Sequence, residues 1–228
     1  MAKPWKKYTK EMAKKFGYFA TWEPGTSVRI GDVGILKKNL FTRTGGLTDL
    51  GIAFRTGEDE TTAQFSHASS GKISMFFKAA GEPPFPGSVL NEDKAGVTID
   101  FTKPNATVFE AAGCRSFSIE DQIALGKTIL DRHAKGEWNE DWVVITELIT
   151  AASATILISA ASNAKIELIA ATGEKRTIAN LADASAGFTV AAVRGLHTGI
   201  VAGPDQNLTP LFKTLDIKSI QRLVGSRE

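Results

Sequence analysis

No charged side chain occurs from Leu148 to Ala164, and this run, entered through Trp142-Val143-Val144-Ile145, constrains the chain more than any other feature. Its Ile, Val and Thr content favours strand over helix, because β-branched side chains pack well on a pleated surface. It is also interrupted by Ser and Thr and falls short of the roughly 20 apolar residues that a membrane helix needs. The pattern predicts a long strand over Trp142–Ile158, a turn near Ser162-Asn163 and a return strand over Lys165–Ala171. Along that strand Trp142, Val144, Leu148, Ile156 and Ile158 share one side. Val143, Ile145, Ile149 and Leu157 share the other with Glu147 and Ser153. Both sides are apolar, so the run reads as a central strand covered on both faces, or as two shorter strands broken near Ala151-Ala152-Ser153.

The N-terminus has a different character. Trp5, Tyr8, Met12 and Phe16 recur at spacings of three and four and form one stripe of a helix over about residues 4 to 16, with Pro4 in the first turn and Gly17 as the stop. Lys3, Lys6, Lys7, Lys10, Lys14 and Lys15 against the single Glu11 give the first sixteen residues a charge of +5. The whole chain carries only +2, so the remainder is mildly acidic. Such asymmetry points to an anionic partner. Two readings follow: a surface helix that buries its aromatic stripe and solvates its lysines, or a basic amphipathic helix that lies on a membrane.

Between these features the chain alternates strands and turns. Short strands with tight turns are expected around Val28–Leu36. Thr61–Ser69 and Lys72–Ala80 flank Ser70-Gly71 as a first hairpin, with Ile73, Met75, Phe77 and Ala79 on one face. Glu82-Pro83-Pro84-Phe85-Pro86-Gly87 is a loop, since three prolines remove ladder donors. Strands follow at Val97–Phe101 and Ala106–Ala112, then a helix to about Lys135 that opens on the capping-type pair Ser118 and Asp121 and buries Ile119, Ile123, Leu130 and Ala134. Ala186–Ala202 holds two strands around Gly195, and Pro210-Leu211-Phe212 begins a basic tail with Lys213, Lys218, Arg222 and Arg227. The fold expected is α+β: a mainly antiparallel twisted sheet with long hairpins, a basic N-terminal helix and a central helix. It forms one domain over 1–228, with a sheet-and-helix body at 1–203 and a tail at 204–228 whose role is regulatory.

The common catalytic vocabularies are absent. Gly126-Lys127-Thr128 lacks the earlier glycine of a P-loop, where Asp121 stands instead, and falls inside a helix. There is no nucleophile elbow, zinc-helix or dinucleotide motif. His67, His133 and His197 are each isolated in sequence from any obvious ligand or catalytic base, and Cys114, the only cysteine, reads as a small buried apolar side chain. No catalytic residue, metal or cofactor is expected. A single cysteine and the lack of a signal-peptide pattern suggest a cytoplasmic protein, which makes the sequons at Asn105 and Asn207 chance matches.

The order of features resembles the pore-forming domain of gasdermins, including their compact bacterial relatives. Lys6 to Lys15 correspond to the basic helix, Ile30-Gly31-Asp32-Val33 to the strand entry, and Ser118–Ile169 to the helix and second hairpin. The resemblance covers about residues 1 to 200 and implies a cytoplasmic effector, held soluble until released, that engages acidic lipid and refolds its hairpins into membrane-crossing strands. It implies lipid contact by Lys6, Lys7, Lys10, Lys14 and Lys15. Insertion would fall to Leu148, Ile149, Ile156, Leu157, Ile158, Ile73, Met75 and Phe77. The implied partners are an anionic membrane, further copies of the chain on activation and an activating protease, with nucleic acid not favoured. The acylated N-terminal cysteine of some bacterial relatives is missing, and self-restraint is left to the last twenty or so residues. The alternative is a non-catalytic binding or assembly module that meets an anionic partner through the same lysine-rich helix.

Overall fold

The computed structural model describes residues 3–171, 181, 187–202 and 208–225. In chain order the elements are α1 (Pro4–Phe16), β1 (Phe19–Ala20), β2 (Asp32–Lys37), β3 (Leu40–Gly46), β4 (Thr56–Ala68), β5 (Ile73–Lys78), β6 (Gly96–Phe101), β7 (Thr107–Ile119) and α2 (Gln122–Ala134). They continue with β8 (Trp142–Ala151), β9 (Ser153–Ser159), β10 (Lys165–Ile169), β11 (Thr189–Arg194), β12 (Leu196–Ala202), β13 (Leu208–Asp216) and α3 (Ile217–Gly225). The fold is α+β with antiparallel sheets, as the alternating pattern predicts.

Local chemistry sets the helix ends. α1 stops at Gly17, which takes a positive φ of 73° and donates its N–H to Ala13 O at 3.0 Å. α2 starts later than expected: its N-cap is Asp121, whose carboxylate accepts the Ala124 N–H at 2.9 Å. Ser118 is still in β7, opposite Glu147, so the strand ladder outcompetes the expected capping pair. The β2–β3 hairpin closes on Lys38 and Asn39, both with positive φ, the pattern of a two-residue primed turn.

The chain divides into two compact units. The first comprises Met1–Tyr8, Thr62–Cys114 and Ala151–Leu208. Here β11-β10-β6-β5 form one antiparallel sheet, and β9 lies between β12 and the Thr107–Ala112 half of β7 in another. Val97, Ile99 and Phe101 of β6 with Ile166 and Leu168 of β10 form a buried core with Val108 and Leu157 of the other sheet. Facing sheets that bury their inner residues make a sandwich.

The two expected hairpins take another form in this unit. β4 and β5 do not pair: β4 joins β7, while β5 pairs with β6 from Ile73↔Phe101 to Lys78↔Gly96. Likewise β9 pairs with β7 and β12, while β10 pairs with β6 and β11. Each turn read as a hairpin is a corner at which the chain passes from one sheet to the other. Hydrogen bonds hold the corners: Ser69 N–H donates to Thr107 O at 2.9 Å, and the Ala106 N–H donates to Ser159 Oγ at 2.9 Å. Alternation and a turn residue are common to hairpins and corners, and only distant partners decide between them.

The uncharged run is two strands broken at Ala152, the second of the alternatives above. The register is the same on both sides of the break: Thr107↔Ile158 to Ala112↔Ser153, and Arg115↔Thr150 to Ser118↔Glu147. Gly113, at a φ of 59°, sits where Ala152 donates its N–H to Ala112 O. Every residue of β9 is buried.

The second unit comprises Thr9–Thr61, Arg115–Thr150 and Thr209–Glu228. β8 lies between β13 on one edge and β2 and the end of β7 on the other. α2 and α3 contribute Leu125, Ile129, Ile217 and Ile220 to a core with Val33, Ile119, Trp138 and Val144. Gly126 lies against Ile220 and Val224, so the Gly-Lys-Thr segment is a helix-packing contact rather than a phosphate loop. The stretch expected as a tail is built into this unit instead, because Leu211 and Phe212 are fully buried. Burial of such side chains is worth roughly 2 kcal/mol each and holds β13 in the sheet. Arg227 and residues 204–207 of the expected tail lie outside the described residues, as does Asn207 of the second sequon.

Candidate anionic-surface face and buried ionic groups

α1 separates its two chemistries as the helical spacing requires. Tyr8, Thr9 and Met12 are completely buried, whereas Lys3, Lys6, Lys10, Lys14 and Lys15 are exposed and Lys7 is half-buried. The Lys6 ammonium lies 5.7 Å from the centre of the Trp5 ring. The stripe is buried at its centre, at Tyr8 and Met12, while Trp5 and Phe16 at its two ends are half-buried. With Tyr8 and Met12 buried, the exposed part of α1 is dominated by its lysines, which suit contact with an anionic surface through charge.

Of the residues expected to enter a membrane, those of the uncharged run are core residues here. Leu148 and Ile149 are buried in the second unit, and Ile156, Leu157 and Ile158 in the first. Ile73, Met75 and Phe77 pack, partly buried, against the core of the first unit. Among the described residues no helix is long and apolar enough to cross a membrane.

Three ionic groups escape sequence reasoning. Lys78, which in the strand pattern merely flanks a short apolar strip, is 1% exposed. Its ammonium donates to the carbonyls of Lys94 at 2.7 Å, Asn91 at 2.8 Å, Glu92 at 3.1 Å and Ala79 at 3.3 Å. Glu167 is buried on β10, where its carboxylate accepts from the Val89 N–H at 2.7 Å and the Ser88 hydroxyl at 3.1 Å and pairs with Lys165. Burial acts to raise this carboxyl, but the Lys165 ammonium and these donors win and hold it below its ordinary value.

Glu110 is the contrasting case. It is fully buried on β7; one oxygen accepts the Ser66 hydroxyl at 2.6 Å and the other has no hydrogen-bond partner among the described residues. Burial pushes the carboxyl up to about 7, against the opposing pull of Ser66. A strand pattern cannot announce such a residue, because Thr107-Val108-Phe109-Glu110 looks like alternation with a polar outer position.

In the second unit Tyr18 donates to one oxygen of Glu147, Lys213 pairs with the other at 2.9 Å, and the Lys213 ammonium lies 4.2 Å from the centre of the Tyr18 ring. Burial first and the Glu147 carboxylate second push the Tyr18 phenol up. Desolvation works against the Lys213 ammonium, yet Glu147 holds it above its ordinary value.

Cys114 is buried, and burial pushes its thiol up to about 12, against a weaker opposing bond from the Phe65 backbone, so little nucleophilic thiolate forms near neutrality. His133 lines a cleft of about 510 Å³ with Glu140, Asp141, Asp216 and Lys218. Among the described residues no three His, Cys, Asp or Glu side chains are placed to hold a metal ion. No protein-family model matches the chain, and no curated protein matches it in sequence.

Proposed function

We propose that the protein is an anionic-surface binding module that attaches to acidic bilayers through the lysine face of α1. The observation that carries this reading is the division of one helix between a side buried at Tyr8, Thr9 and Met12 and an exposed row formed by Lys6, Lys10, Lys14 and Lys15. Each lysine near an acidic bilayer contributes on the order of 1 kcal/mol, and salt weakens the attraction. Vesicles with and without acidic lipid test it by cosedimentation. The protein should pellet only with acidic vesicles, release on raising salt, and lose binding when Lys7, Lys10 and Lys14 are all changed to Glu. Equal binding by that variant would remove α1 from the mechanism.

A pore-forming effector is the stronger version of the same proposal, and one observation favours it: the uncharged run keeps a single register against β7 across the Ala152 break. Strands cross a bilayer only when their backbone closes into a barrel, with about 9 to 11 residues per crossing. Such a step requires β9 and β10 to leave the core of the first unit. Dye release from acidic vesicles separates the two versions: a binding module pellets without leakage.

A further inference from the structure

We propose that β11 is a self-association edge, at which a second copy of this chain adds its own β11 in antiparallel register and joins two four-stranded sheets into one. Among the described residues β11 pairs only with β10 and ends the order β11-β10-β6-β5. Its register places Val190 opposite Leu168 and Val193 opposite Ile166, two buried core residues. Directly opposed residues of a sheet share a face, so both valines stand on the core-facing side. Yet Val190 is 51% and Val193 59% exposed. The core face of this sheet therefore runs on past its last strand into solvent.

The occupant follows from the strand's own symmetry. A two-fold axis between Ala191 and Ala192 sets Val190 against Val193 of the copy and Thr189 against Arg194, so no two arginines oppose each other. The register irregularity that skips Ala191 brings Val190 and Val193 onto one side, and the exposure pattern along β11 is itself symmetric about that midpoint. Parallel pairing in matched register would bring Arg194 beside its own copy, at a cost in repulsion. From Thr189 to Val193 the strand carries no lysine, proline or acid, the side chains that blunt natural edges. At the opposite edge Phe76 of β5 packs against Phe85 of the proline-rich loop, with ring centres 5.2 Å apart and the rings tilted by 52°. An interface of this kind is isologous and closes at a dimer.

Sedimentation velocity over a concentration series, without lipid, reads the proposal independently of membrane binding. The wild type should show a monomer–dimer equilibrium that Val190→Lys with Val193→Lys shifts to monomer at every concentration, with unchanged circular dichroism. Register is read by oxidative crosslinking in a Cys114→Ala background: Val190→Cys with Val193→Cys should give a disulfide-linked dimer, and either cysteine alone should not. A wild type that stays monomeric, a lysine variant that still dimerises, or single cysteines that crosslink as well as the pair would each overturn it.

Discussion

Lys78 and Glu110 are both buried ionisable residues of the first unit, and they have opposite consequences. Four carbonyls surround the Lys78 ammonium, three of them from the loop segment Asn91–Lys94. Replacing it with Met keeps the apolar stem but leaves those carbonyls without their donor. Removing one side of a buried charged set costs about 3 kcal/mol. Urea unfolding should show a loss of that size for Lys78→Met, and amide exchange should quicken in residues 79–94. Glu110 works the other way, because one of its oxygens is unsatisfied and its neighbours are neutral: Ser66 on β4 donates to the other oxygen, while Thr155 opposite it on β9 donates its hydroxyl to Leu181 O instead. Its folded carboxyl titrates at about 7, above an ordinary value of 4.5, so the folded state holds the proton more tightly than the unfolded chain. The contribution to stability is complete below about pH 4.5 and is lost as pH rises through 7. Tighter proton binding by a factor of ten is worth about 1.4 kcal/mol, so the loss is on the order of 3 kcal/mol. Thermal melts should find wild type less stable at pH 8.5 than at pH 5.5, and Glu110→Gln should flatten that dependence and melt higher than wild type at pH 8.5.

At the scale of elements, the break between β8 and β9 carries the sharpest constraint. Gly113 has a φ of 59°, and a Cβ there would lie 2.7 Å from the Cβ of Ala152. A left-handed backbone costs a side-chain-bearing residue roughly 1–2 kcal/mol, before that clash is counted. Gly113→Ala should therefore lower stability by at least about 2 kcal/mol in urea titration, whereas Gly71→Ala, with a similar φ and nothing within 4 Å, should lose only the conformational part. Local periodicity is what the sequence displays plainly: α1 spans Pro4–Phe16 as its aromatic spacing predicts, and Ala151-Ala152-Ser153 marks a true strand break. Pairing is not displayed, because β5 meets β6 across the proline-rich loop and β10 meets β6 from beyond three intervening strands, through backbone ladders that side-chain periodicity does not specify. For the same reason Lys78 and Glu110 were illegible. Their environments come from a loop and from neighbouring strands, and no spacing in β5 or β7 encodes them. The lysine face of α1 was legible because charge and helical period coincide in one short segment.

For the molecule as a whole, the open question is whether the uncharged strands ever leave the core. A charge placed at Ala154 or Ile156 would not answer it, since both are 1% exposed and the variant would be destabilised before it met a membrane. A reversible lock is the better test. Asp100 of β6 and Lys165 of β10 are directly opposed, and such antiparallel pairs lie about 4.5–5.5 Å apart at Cα, within disulfide reach. Cysteines at these two positions, in a Cys114→Ala background, would pin β10 to β6 when oxidised and release it when reduced. If refolding of this region opens a bilayer, the oxidised protein should pellet with acidic vesicles yet release no dye, and reductant should restore leakage to the level of the Cys114→Ala parent. The thermal midpoint should be higher in the oxidised form, which separates a lock from simple damage. Leakage that is equal in both redox states would show that β10 stays in its sheet while the membrane is breached. A parent protein that binds acidic vesicles and never leaks them would leave α1 as an electrostatic anchor and the long strands as the permanent core of a binding module.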